Sequence, residues 1–224
     1  WPLYMAAEYM QGQTLGDHFY QARNLQIGQT LHWLKQLASA LDYTHDQNII
    51  HRDVKLQNVF LDAQGNVKLG DYGISRLEDT SSQTQLGVAL GTPLYMPREA
   101  YEQVFGPFTD VYGLGVLAYL FLTGYFPFAG TINEVKLAHK NLKPPVPSKV
   151  NPTLTRAVDE VLLTALASNY ERRYQQAGHF IADLALALQG REAASVAVHN
   201  DPKRKPVTNT TTPPMQTLPK RSKN

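Results

Sequence analysis

Apolar residues recur at helical spacing along most of the chain and switch to strand spacing once, near its first third. Leu31, Leu34, Leu37, Ala38, Leu41 and His45 share one face behind Thr30, which reads as an N-cap, and predict a helix of about four turns. Val59, Leu61, Val67 and Leu69 then alternate across the turn-forming stretch Asp62-Ala63-Gln64-Gly65-Asn66, which predicts a short hairpin. A second helix is expected from Thr109-Asp110 to Leu122. It is apolar almost all round and is therefore expected to be a buried central helix. Periodic stretches at 132–141, 154–167 and 177–189 follow, punctuated by Pro144-Pro145, Pro147 and Pro152. The expected class is α+β: a mostly helical body with a small β-hairpin insert.

With 43% hydrophobic and 18% charged residues, the chain has the material for a packed core. Its longest apolar run, Leu114–Leu122, is too short to span a bilayer. The absence of cysteine excludes a disulfide framework and a thiolate zinc site, and makes a reducing, cytoplasmic setting the expectation. Trp1–Ala7 has neither the basic flank nor the apolar length of a signal peptide, and no methionine opens the chain, so it reads as a piece of a longer protein. Charge is unevenly spread: residues 201–224 carry +5, against −3 for residues 1–200. A slightly acidic body does not fit nucleic-acid binding. The segment 191–224, basic and rich in Pro and Thr towards its end, buries too little to offset its ordering entropy and is expected to be a disordered tail or linker. Its basic residues make it a candidate arm for anionic surfaces.

Two polar clusters interrupt the strand-rich insert. His51-Arg52-Asp53-Val54-Lys55-Leu56-Gln57-Asn58 precedes the first strand, and Asp71-Tyr72-Gly73 follows the second. A carboxylate, a lysine and a carboxamide within six residues, facing a second carboxylate across a hairpin, suit a metal-bound phosphate. Mg²⁺ takes hard oxygen ligands and usually one or two carboxylates plus substrate phosphates. Lysine offers a point charge to a phosphate oxygen, and a carboxylate without metal can accept a hydroxyl proton.

With these motifs the chain resembles the C-terminal lobe of a eukaryotic-type protein kinase. His51-Arg52-Asp53…Asn58 is similar to the family's catalytic loop and Asp71-Tyr72-Gly73 to its metal-binding triplet, with Tyr where Phe is usual. The likeness continues through Gly91-Thr92-Pro93-Leu94-Tyr95-Met96, Glu99, Asp110-Val111-Tyr112-Gly113-Leu114-Gly115, Thr123-Gly124-Tyr125-Phe126-Pro127-Phe128 and Arg172-Arg173-Tyr174. Ala7-Glu8-Tyr9-Met10…Gly12 resembles the hinge between lobes, so residues 1–190 read as hinge plus C-terminal lobe.

The resemblance implies a serine/threonine protein kinase using ATP and Mg²⁺ on protein hydroxyls. It implies Asp53 as the base, Lys55 on the γ-phosphate, and Asn58 and Asp71 on Mg²⁺. Ala7, Glu8, Met10 and Phe60 would line the adenine site. Arg52 is the pattern of kinases switched by activation-loop phosphorylation, with Thr84 the expected site. Thr92 marks the serine/threonine class, Glu99 is expected to pair with Arg173, and Asp110 is expected to bond back to the catalytic loop. The phrase Thr84–Thr92 is most similar to bacterial members; the expected localisation is cytoplasmic, with a membrane anchor of the full-length protein beyond Asn224 as the alternative.

Departures from the pattern bear on these expectations. Pro97-Arg98-Glu99 stands where the family has Ala-Pro-Glu, which sets Arg98 to compete for Glu99. Ala7 is small for a residue at the back of a nucleotide pocket. The family's Gly-rich loop, strand lysine and partner glutamate would have to precede residue 1, so the 224-residue chain alone is expected to be inactive. The run Gly113-Leu114-Gly115-Val116-Leu117-Ala118 lies inside the expected buried helix and reads as packing glycines, not a dinucleotide fingerprint. His45 and His51 have a zinc-finger-like gap but no cysteine pair. His18, His32, His139 and His179 read as surface or half-buried residues, and Trp33 as packing. The alternative to an enzyme is a pseudokinase or interaction scaffold. A further one makes the basic tail the binding element and the lobe its carrier.

Overall fold

The computed structural model describes residues 12–21, 25–71 and 93–190, together with the backbone of 207–208. Helices α1 (Leu15–Gln21) and α2 (Ile27–Asp46) lead into a single 3-10 turn, Leu56–Asn58, and the hairpin β1 (Val59–Leu61) and β2 (Val67–Leu69). Two further 3-10 turns, Pro93–Tyr95 and Arg98–Glu102, precede β3 (Val104–Phe105) and the long helix α3 (Pro107–Thr123). The remainder is α4 (Ile132–Asn141), α5 (Pro147–Val150), α6 (Arg156–Ala165) and α7 (Ala177–Leu188). A two-residue strand β4 (Val207–Thr208), inside the segment expected to lack structure, pairs antiparallel with β3. The class is α+β, with helices dominant.

Helix α3 is the axis of the core. Pro107 fits its first turn because an N–H there has no helical partner, and Gly124 ends it with φ 81°, a left-handed conformation that glycine adopts without strain. Every residue from Phe108 to Thr123 is buried, as expected of a helix without a polar face. Helices α2, α6 and α7 pack around it. Gly113 allows the closest approach: a Cβ there would lie 2.9 Å from the carbonyl oxygen of Val54. Gly113 is therefore a contact point for the loop that carries Asp53, and Gly115 one for Ala165 and Leu166 at the end of α6; neither is part of a phosphate-binding turn.

Helix α2 begins ahead of the expected cap. Gln26 is its N-cap, without a side-chain bond, and Thr30 is buried in the first turn, its N–H bonded to the Gln26 carbonyl at 3.0 Å. Burial makes Thr30 a packing residue, not a capping one. Thr131 and Glu134 cap α4 reciprocally: Glu134 accepts from the Thr131 N–H at 2.8 Å, and Thr131 Oγ1 accepts from the Glu134 N–H at 3.4 Å.

Candidate active site

The loop before β1 is fixed by the first turn of α3. Asp110 is 1% exposed, and its carboxylate accepts three bonds from earlier in the chain. Oδ2 accepts from the His51 N–H at 2.8 Å and Oδ1 from the Arg52 N–H at 2.7 Å, while His45 Nε2 meets Oδ2 at 2.7 Å. A buried carboxylate with this many donors is satisfied, and the donors are held in turn. Arg52 is thereby kept at φ 67°, a left-handed conformation that costs a non-glycine residue about 1–3 kcal/mol. Its guanidinium lies 4.8 Å from the ring centre of Phe105 on β3.

His51 ties this loop to the far end of β2. Its Nδ1 accepts from the Asp53 N–H at 3.2 Å, so the proton sits on Nε2, which donates to the Gly70 carbonyl at 2.9 Å. Asp53 is positioned from two sides. Lys55 Nζ donates to its Oδ2 at 2.7 Å, and Asn58 Nδ2 donates to the same oxygen at 3.0 Å and to the Asp53 carbonyl at 2.8 Å. A small cleft beside Asp53 is lined by Arg52, Val54, Tyr95, Met96, Pro97 and Thr109.

The hairpin brings Asp71 to the same place. Its ladder pairs Val59 with Leu69, and the Gly70 N–H continues it to the Asn58 carbonyl at 2.9 Å, so Asp71 leaves the ladder next to Asn58. Asp71 is exposed and, at φ 55°, is a second strained residue. Asn58 spends its amide hydrogens on Asp53, so its carboxamide oxygen is the end that could meet a cation. One carboxylate and one carboxamide oxygen form a hard donor pair that fits a Mg²⁺ ion shared with phosphates, not a cage of protein ligands. Among the described residues, no group of three or more His, Cys, Asp or Glu side chains is placed to hold a metal. Phe60 lies opposite Lys68, and Thr14 bridges to it.

Behind the site, Arg173 and Glu99 are fully buried and paired through both guanidinium nitrogens, Nη2 to Oε2 at 2.9 Å. Arg173 also donates to the carbonyls of Ala167, Phe108 and Ser168, and its guanidinium stacks 4.6 Å from the Tyr112 ring centre. The expected competition from Arg98 does not occur: Glu99 is buried, while Arg98, turned about 120° from it in the 3-10 helix, lies exposed against Glu102 at 3.3 Å.

The protein kinase domain family matches residues 2–180. The chain belongs to the protein kinase family. Serine/threonine-protein kinase PknB of Mycobacterium leprae is 35% identical over 205 residues, which is 90% of this chain and 33% of that protein. Serine/threonine-protein kinase PrkC of Bacillus subtilis is 32% identical over 188 residues, 83% of this chain and 29% of its own length. PknA of Mycobacterium tuberculosis is 33% identical over 189 residues, 84% of this chain and 43% of that kinase. The chain thus spans well under half the length of these curated relatives, all bacterial serine/threonine kinases by name. Among the described residues, no helix is long and apolar enough to cross a membrane.

Within this kinase lobe the structure brings together Arg52, Asp53, Lys55, Asn58, Asp71 and Asp110, and separately Glu99 with Arg173. Ala7, Glu8, Met10, Thr84 and Thr92 lie outside the described residues. Sequence reasoning missed His45 as a partner of Asp110. The signal was present, since His45 continues the apolar face of α2 and a buried imidazole needs a partner.

His139 is a correction. Expected at or near the surface, it is 1% exposed beneath Tyr112 and Phe128, with its Nδ1 against the Tyr112 hydroxyl. Burial, with nearby Arg173 adding to it, pulls its pKa from 6.5 down to about 4. The unfolded chain then binds this proton more readily, so the contribution to stability is complete above about pH 6.5 and is lost as pH falls towards 4. Between those limits the wild type should lose about 3 kcal/mol more than His139→Asn, which lacks the titration. Urea unfolding of both proteins at several pH values measures this, and parallel curves would contradict it.

Proposed function

We propose that this chain carries the phosphoryl-transfer centre of a serine/threonine protein kinase acting on hydroxyls of protein substrates. The observation that carries the reading is the convergence of Asp53, Lys55 and Asn58 on one loop with Asp71 at the end of the hairpin that starts at Asn58. In the proposed step the substrate hydroxyl oxygen bonds to the γ-phosphorus of ATP as the bond to the β–γ bridging oxygen breaks. ADP leaves, and the hydroxyl proton passes to the Asp53 carboxylate. Lys55 neutralises charge on the phosphoryl oxygens. Asn58 and Asp71 would hold Mg²⁺, whose chemistry is to screen the phosphates and stabilise the leaving group. Phe60, with Ala7, Glu8 and Met10, would take the adenine.

The reading extends to a domain at 1–190 with a separate tail at 191–224, and to a small lobe supplied by sequence ahead of residue 1. That lobe covers the phosphates in the family, so the 224-residue chain alone would bind nucleotide weakly and turn over negligibly. Retention of Asp53, Lys55, Asn58 and Asp71 disfavours a scaffold, since a protein without phosphoryl transfer does not need all four together.

The test is nucleotide titration with and without Mg²⁺. Wild type and Asp53→Ala should bind ADP better with Mg²⁺, and Asp71→Ala should lose that dependence. Equal Mg²⁺ dependence in Asp71→Ala and wild type would remove Asp71 from the metal.

A further inference from the structure

The hairpin that carries the proposed metal ligands pairs over only three residues, Val59–Leu61 with Val67–Leu69. A two-stranded ribbon this short is not stable alone, so its position is set by what grips it. One grip comes from the chain ahead of α1, where the Gln13 carbonyl accepts from the Leu61 N–H at 2.9 Å. The other comes from side chains on α2. Gln36 Oε1 accepts from the Val67 N–H at 2.8 Å, and its Nε2 donates to Asn66 Oδ1 at 2.9 Å. Trp33, three residues earlier and so on the same helix face, donates its indole N–H to the Gly65 carbonyl at 3.0 Å.

The turn that α2 grips is itself preformed. Asp62 Oδ1 accepts from the N–H groups of Gln64 at 2.9 Å and Asn66 at 2.8 Å. Movement of this turn is therefore transmitted along the ladder to its other end, about 10 Å away, where Asn58 and Asp71 sit. The chemistry at Gln36 is specific. The Val67 N–H needs an acceptor and Asn66 Oδ1 needs a donor, and a carboxamide supplies both from one side chain. Hydrophobic packing does not require it, because Leu34, Leu37 and Leu41 supply the buried apolar face of α2.

We infer that Gln36, assisted by Trp33, is a positioning residue that sets the spacing of Asn58 and Asp71 and thereby the divalent-ion affinity of the nucleotide site. The inference rests on the metal-site reading under Proposed function. Leucine at position 36 would fill similar space and lose both bonds. Glutamate would keep the acceptor for Val67 and lose the donor to Asn66.

The experiment titrates Mn²⁺ into the ¹⁵N-labelled 224-residue chain with ADP held at a saturating concentration, since this chain alone would bind nucleotide weakly, following paramagnetic broadening of the Asn58 and Gly70 amides, with thermal unfolding measured alongside. Gln36→Leu should weaken the apparent Mn²⁺ affinity by about tenfold, at the lower end of outer-shell losses. Gln36→Glu should fall between it and wild type, and Asp71→Ala should abolish site-specific broadening. If Gln36→Leu does not fold, Gln36→Glu and Trp33→Phe decide. Variants that lower the melting temperature yet keep wild-type Mn²⁺ affinity would show a purely structural role and overturn the inference. Broadening in Asp71→Ala equal to wild type would instead remove the metal-site reading, and no broadening in wild type would overturn both.

Discussion

In a protein carrying this lobe within a complete kinase domain, Asp53→Ala should lower the rate of phosphoryl transfer by about 10²–10⁴, the usual worth of a positioned base. Nucleotide affinity should change far less. Asn58 donates to the Asp53 carbonyl at 2.8 Å as well as to its carboxylate, so the proposed metal ligand keeps a partner when the side chain is removed. The loop also keeps its hold on α3, because Asp110 binds the N–H groups of His51 and Arg52, not the side chain of Asp53. The loss should therefore fall on kcat, with KM for ATP nearly constant, as for an interaction made only in the transition state. Asp53→Asn keeps the shape and cannot take the proton, so it should fail to a similar degree. Radiolabel transfer to a generic protein substrate, with nucleotide titration on the same samples, measures both quantities. Undiminished transfer in Asp53→Ala would remove Asp53 from the chemistry.

Much of this arrangement was legible in the residues themselves because it is local. The period of apolar residues marks α3 as buried, the turn residues between Val59 and Val67 mark the hairpin, and the polar clusters lie at its two ends. What the sequence did not show is mostly non-local. Gln36 meets Val67 across 31 positions and His45 meets Asp110 across 65, and neither was anticipated, while Asp110 with His51 and Arg173 with Glu99, across 59 and 74, were expected only through the family resemblance. No local period encodes such pairings. The start of α2 was misplaced because Thr30 has the chemistry of a cap, while its burial makes it a core residue. His139 was misread for the converse reason: on α4, among polar neighbours, nothing local indicates that its face turns towards Tyr112 and Phe128.

Removing the guanidinium of Arg173 should be the most destabilising single change outside the apolar core. Its donors are all engaged, by both oxygens of Glu99 and the carbonyls of Ala167, Phe108 and Ser168, with no exposure to water. Arg173→Met keeps the volume of the stem and leaves Glu99 as a buried charge without its partner, a loss of about 3–5 kcal/mol. Against a total stability of about 5–15 kcal/mol this is a large fraction, and much of the protein should be unfolded or aggregated at 37 °C. Lysine is not a substitute, since one ammonium cannot reach carboxylate and carbonyls lying in the plane of the fork, so Arg173→Lys should recover less than half of the loss. The double variant Glu99→Leu with Arg173→Met should recover most of it, because the cost lies in the unpaired charge more than in the missing attraction. Urea unfolding of wild type, Glu99→Leu, Arg173→Met and the double variant, with proteolysis for any that aggregate, gives the cycle, and Arg173→Lys is measured beside them. An Arg173→Met protein as stable as wild type would show that the pair does not hold the turn at Glu99 to the body of the lobe.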